Sequence, residues 1–262
     1  MREPRLHLLE LNSRSQYNRD CFLLNFRDEY NTFTLLLEQY EEALKVISTN
    51  RDLQNLSHIG LIPHLLFAQR SIMHGFDNLM PYQSFFAWSN FRTGLEAMLI
   101  VGKFVDNSGL AEVWTNHGSN RKNYIKEFQE ELDENNSLPK CKEFRKLLST
   151  INTHYLHPNP TNILSNTSVS KNESNHMVGI NMRYFDDDSD LHEAYVHAYI
   201  RIFSEIDDSL AEMIGLLYQG QAPQKKRAAE YQTRYGSRVA ALIQRKPEAK
   251  DILIQFGLWS SL

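Results

Sequence analysis

The sequence predicts an all-α fold: a multi-helix bundle of long amphipathic helices, with one small β-hairpin or ordered loop inserted near residues 163–185. Three observations carry this. Apolar residues return at three- and four-residue intervals through most of the chain, the spacing that lines one face of a helix. Segments with that rhythm, such as Ser15 to Ser48 and Leu191 to Tyr218, run well past the mean globular helix. Only TNILSNTSVSKNESNHMVGINMRYF loses the rhythm; it is rich in Asn, Ser and Thr and partly alternates from Met177 to Phe185.

With 262 residues, 42% of them apolar, the chain can bury a sizeable core. Residues 1–14 read as a poorly anchored leader, 15–218 as the helical bundle and 219–262 as a basic helical extension. Phe22, Phe26, Phe33, Leu36, Leu37, Tyr40, Leu44 and Ile47 share one helical face, so Ser15 to Ser48 reads as a single helix. Its length fits a bundle member or an arm that packs on another subunit. TNRDLQNLSH is a polar connector. The next helix is expected over Ile62 to Leu79, with Pro63 in its first turn, where a missing N–H costs little, and Pro81 past its end.

Tyr82 to Val105 is the most apolar helix and should be central. Within it Arg92 and Glu96 lie four apart on one face among Trp88, Phe91, Leu95 and Leu99. Such a pair is partly desolvated and is expected to exceed the roughly 0.3–0.5 kcal/mol of an exposed helix pair. A short helix around Trp114 and a charged helix from Arg121 to Asn135 follow. Ahead of the Leu191 to Tyr218 helix, Asp186 to Asp190 supply several acids, with Asp190 and Glu193 at capping-box spacing. From Pro223 to Asp251 eight Lys or Arg face three acids, and the tail DILIQFGLWSSL is apolar enough to need cover on its own core or on a second chain.

Several classes are excluded or unsupported. Apolar runs stop short of the roughly 20 residues of a membrane span, and MREPRLHLLELNSR has no signal-peptide core, so a cytoplasmic protein without membrane contact is expected. Cys21 and Cys141 are far apart and outside any CxxC, which supports neither a disulfide framework nor a cysteine-rich zinc site. In HEAYVH the histidines are five apart, one more than a helical HExxH zinc site needs. No Walker loop, GxGxxG or GxSxG occurs, and no cofactor is implied. A net charge of −4 confines any nucleic-acid contact to a local patch, for which Lys225, Lys226, Arg227 and Arg234 are the candidates. The competing reading of that segment is a solvated face or a complement to an acidic partner.

The stretch with most chemistry is RKLLSTINTHYLHPNP, Arg145 to Pro160. Phe144, Leu147, Leu148, Ile151 and Tyr155 form a core stripe, His154 lies on its flank, and Pro158 ends the helix at His157. A protonated imidazole at a helix C-terminus is favoured by the dipole, so one histidine can serve merely as a cap.

The RxxxE element of Arg92 and Glu96, taken with a later helix ending in LSTINTHYLHPNP, resembles bacterial helical families placed near the HEPN superfamily, over roughly residues 60–218. The resemblance implies a dimeric helical bundle, many members being metal-independent RNases of toxin–antitoxin, abortive-infection and CRISPR-linked defence. Their signature arginine, four to six residues before the histidine, is absent: that window holds Thr150, Ile151 and Asn152 before His157, and Leu147, Leu148 and Ser149 before His154. Two functions follow. One is a non-catalytic module acting through self-association, expected as a homo-oligomeric dimer, and through a protein partner. The other is an RNase acting on RNA with His157 or His154 as general base, Arg92 or Arg145 stabilising the phosphorane, Asn152 orienting and Glu96 paired to Arg92.

Overall fold

The computed structural model describes residues 4–49, 56–107, 109–156, 167–171, 178–182, 185–186, 188–217 and 227–257. It is an all-α bundle: α1 Pro4–Asn25, α2 Arg27–Thr49, α3 Leu56–Leu79, α4 Ser84–Asp106, α5 Gly109–Thr115, α6 Arg121–Ile125, α7 Cys141–Ile151, α8 Ser189–Leu217, α9 Arg227–Arg245 and α10 Glu248–Gln255. A two-stranded antiparallel hairpin, β1 Thr167–Lys171 and β2 Val178–Met182, lies where the helical rhythm fails, with Val169 opposite Ile180.

α3 and α4 form an antiparallel pair at the centre, because Gly75 approaches the Ala87 carbonyl while Gly94 approaches that of Ala68. A side chain at either position would collide, so glycine sets the spacing. α8 packs beside this pair with Ala194, Ala198, Tyr199, Ile202, Phe203 and Ile206 fully or almost fully buried. Buried hydroxyls are spent on backbone: Tyr199 donates to the Ile72 carbonyl at 2.6 Å and Tyr40 to that of Leu65 at 2.9 Å. α2 adds its stripe through Phe33, which stacks on Phe76 at 3.8 Å. Lys103, 1% exposed, is satisfied by Glu127 at 2.9 Å and the Glu134 carbonyl at 2.8 Å.

Several elements differ from expectation. The leader is helical, since α1 begins at Pro4, and the guanidinium of Arg14 lies 4.9 Å over the Phe185 ring. The single helix expected over Ser15 to Ser48 bends at Phe26, yet the amides of Phe26 and Tyr30 still reach the carbonyls four residues back. The bend keeps the rings of Phe22 and Phe26 together in the core, 5.0 Å apart, and Arg19 ties α1 to Asp77 of α3. α3 starts six residues before Ile62, so Pro63 sits in its interior and the helix forgoes one ladder bond. The charged helix from Arg121 is only five residues of α-helix followed by a π-helical segment, Lys126–Glu130. Asp190 is not the cap of α8; the Asp188 carboxylate accepts from the amides of Asp190 and Leu191, both at 3.0 Å. The C-terminal segment is built into the same core: Phe256 stacks on Trp88 at 4.1 Å, and Ile252, Leu253 and Phe256 of the apolar tail are covered by the chain itself while Ile254 is exposed.

Candidate functional site

α4 packs against α7, and α7 continues as a π-helical turn, Asn152–Leu156. The helix that carries Arg92 and Glu96 therefore lies beside the helix that carries His154. The point of closest recognition is aromatic: Trp88 of α4 and Tyr155 of the π turn have ring centroids 5.9 Å apart, and both stack on Phe256. One turn beyond Trp88, Arg92 Nη2 meets Glu96 Oε2 at 3.3 Å, both side chains half-buried. Arg92 Nε and Trp88 Nε1 are buried donors with no acceptor among the described residues. Behind Tyr155 sits Tyr195, and burial pushes both phenols up, Tyr195 to about 12. Both are neutral hydrogen-bonding groups at ordinary pH.

His154 does not join this group. His154 points into solvent, and His157 lies outside the described residues. Arg145 donates to the Gln129 carbonyl at 2.6 Å and stands ten residues before Tyr155, about 15 Å along the helix at 1.5 Å per residue. Asn152 is half-buried. Of the proposed phosphate-contacting cations, Arg234 is exposed and lies 5.4 Å over its neighbour Tyr235, whereas Lys225, Lys226 and the side chain of Arg227 fall outside the described residues.

A second cluster was not anticipated. Glu29 is fully buried, and its Oε1 lies 2.8 Å from Arg238 Nη1 of α9, although the N–H directions miss both carboxylate oxygens. The contact is an ion pair rather than an aligned hydrogen bond. Arg238 also approaches Glu193 of α8 at 3.6 Å, and Arg245 binds Glu193 and Asp190 at 2.9 Å each. Burial pushes the Glu193 carboxyl up, but the facing His197, Arg245 and Arg238 outweigh it and hold it below the usual range. Lys246 completes the seam with Asp188 at 2.8 Å. The basic face of α9 is thus complemented by acids of α2 and α8 in the same chain.

Compared with known families, characterised proteins and solved structures, the chain matches none. What the clusters can do has to come from their geometry. The histidines of HEAYVH point about 140° apart round α8, as five residues dictate. His192 Nδ1 donates to Asp186 at 2.9 Å, and Asp186 also accepts from the Ser84 amide and hydroxyl, capping α4 from 102 residues away. His192 Nε2 is left buried and unpartnered, with Tyr82 stacked on the ring at 4.0 Å and the edges of Phe22 and Phe26 around it. His197 Nδ1 lies 2.7 Å from the Tyr231 hydroxyl, and its Nε2 is 3.6 Å from Glu193, too long for a hydrogen bond. Neither ring reaches solvent. Among the described residues, no three of His, Cys, Asp and Glu come together to hold a metal ion. No described helix is long and apolar enough to cross a membrane.

The clearest sequence signal for this cluster was Glu29 itself. It falls in step with Phe22, Phe26, Phe33, Leu36 and Tyr40, so a carboxylate stands in the line of the buried stripe.

Proposed function

We propose that the protein is a non-catalytic helical module that works by self-association and by binding a protein partner, with the Arg92–Glu96 pair and the buried histidines in structural roles. The observation that carries this reading is the outward face of α1. Leu9, Tyr17 and Leu24 are 62%, 68% and 82% exposed, on a helix whose Asn18 and Arg19 hold it to Pro81 and Asp77. Large apolar side chains aligned on an exposed helix face are costly in water and gain by being covered. Several chemistry-bearing groups are meanwhile partnered within the chain: Arg92 with Glu96, Arg145 with a carbonyl, His192 with Asp186 and His197 with Tyr231. Measuring the mass in solution by light scattering over a range of concentration tests the reading; a monomer at every concentration rejects self-association.

A second reading is supported by one feature. Arg92 Nε and Trp88 Nε1 are orphaned donors one turn apart on α4, beside a π-helical turn of the kind often found at functional sites. On that reading the protein is a metal-independent RNase, with His157 or His154 as base and Arg92 at the phosphate. Incubation with total RNA in EDTA, beside a His154→Ala/His157→Ala variant, separates the two. Cleavage by the parent chain that the variant lacks supports the nuclease. No cleavage, or equal cleavage by both, removes it.

A further inference from the structure

Resting on the self-association reading, the geometry points to a specific seat for α1: we infer that its outward face docks on the exposed face of α3 in a second copy of this chain, reciprocally. On α1, Leu9, Ser13, Gln16, Tyr17, Asp20 and Leu24 follow the spacing of one helix face, and all six are exposed. On α3, Leu66, Phe67, Arg70, Met73 and His74 do the same; Leu66, Phe67 and Met73 are 50%, 53% and 42% exposed.

Three properties match these faces to each other. Charge is complementary: Asp20 is the only ionised group within the α1 face, while Arg70 lies in the middle of the α3 face with His74 beside it. Two cations of α1 are turned elsewhere, Arg19 to Asp77 at 2.7 Å and Arg14 over Phe185. Length agrees: at 1.5 Å per residue, Leu9 to Leu24 covers about 22 Å and Leu66 to His74 about 12 Å, so one arm spans the whole apolar patch. The faces are also continuous. Asp77 lies in line with Leu66, Arg70 and Met73, so the Arg19 bridge ties α1 across the end of that line and leaves the rest of it open beside the arm. A two-fold axis near this junction would lay each arm on the other copy's α3, the same patches meeting twice, as an isologous interface requires.

Full-length protein is examined by sedimentation equilibrium as the parent, Asp20→Arg, Arg70→Asp and the double Asp20→Arg/Arg70→Asp. All substituted positions are exposed, so helical circular dichroism should stay unchanged. Each single substitution is expected to raise the dimer dissociation constant about tenfold or more by placing like charges together, and the double variant to return within about threefold of the parent. If Asp20→Arg weakens the dimer while Arg70→Asp does not, or the double variant fails to recover, α1 sits elsewhere, for instance on another α1. That result overturns this docking and leaves self-association standing. A monomeric parent overturns both.

Discussion

Replacing Arg238 by Ala removes the cation that, among the described residues, pairs with the fully buried Glu29 carboxylate. At 2.8 Å and an effective dielectric constant of about 20, the attraction is roughly 6 kcal/mol. Arg238 is 38% exposed, so solvent screens part of this, and the α2 carboxylate can draw in water once α9 loosens. A loss of about 3 kcal/mol is expected, the low end of the range for breaking a buried pair. In a chain of this size that corresponds to a fall of about 6–12 °C in Tm. Chemical denaturation of the parent, Arg238→Ala, Glu29→Gln and Glu29→Gln/Arg238→Met reads the effect. Glu29→Gln should cost less than Arg238→Ala, because it leaves no uncompensated charge, and the double variant should lie near the parent. A cost below about 1 kcal/mol for Arg238→Ala, as for an exposed pair, would refute the reasoning.

Phe256→Ala should cost about 3 kcal/mol in urea denaturation by emptying the space between Trp88 and Tyr155; under about 1 kcal/mol would mean that the C-terminal helix is not seated there. The hydrogen bond from Lys246, helped by the amides of Leu191 and Asp190, holds the Asp188 carboxyl below its usual 3.8. Its folded value being depressed, its contribution is complete well above pH 3.8 and is lost as pH falls through the lower folded value. Asp188→Asn should therefore lower Tm at pH 6 and flatten its decline as pH falls below 3.8; an unchanged acid profile would contradict the role given to this cap.

The bundle was legible because its helices bury stripes, and stripes are written in spacing. The core residues of α4, α7 and α8 fall where periodicity puts them, and loss of periodicity marked the hairpin. The bend at Phe26 was not legible, since the hydrophobic rhythm runs straight through it. Nor was the start of α3, where Pro63 suggested a first turn but the surrounding packing sustains an interior proline. The polar seam joins Glu29 and Arg238 across more than two hundred positions, and spacing within one helix carries no information about such partners. Helix spacing placed Arg92 beside Glu96 correctly, and α4, which carries that pair, packs against α7 and its π-helical turn. It did not fix the outward direction of His154, because the register shifts where α7 widens at Asn152.

Light scattering on the parent chain beside Leu24→Glu tests the proposed role most directly. The parent is expected near twice 30.6 kDa at micromolar concentration, and the variant, with a charge at Leu24, which is 82% exposed, near 30.6 kDa with its helical content unchanged. Equal masses for the two proteins would contradict association through the α1 face.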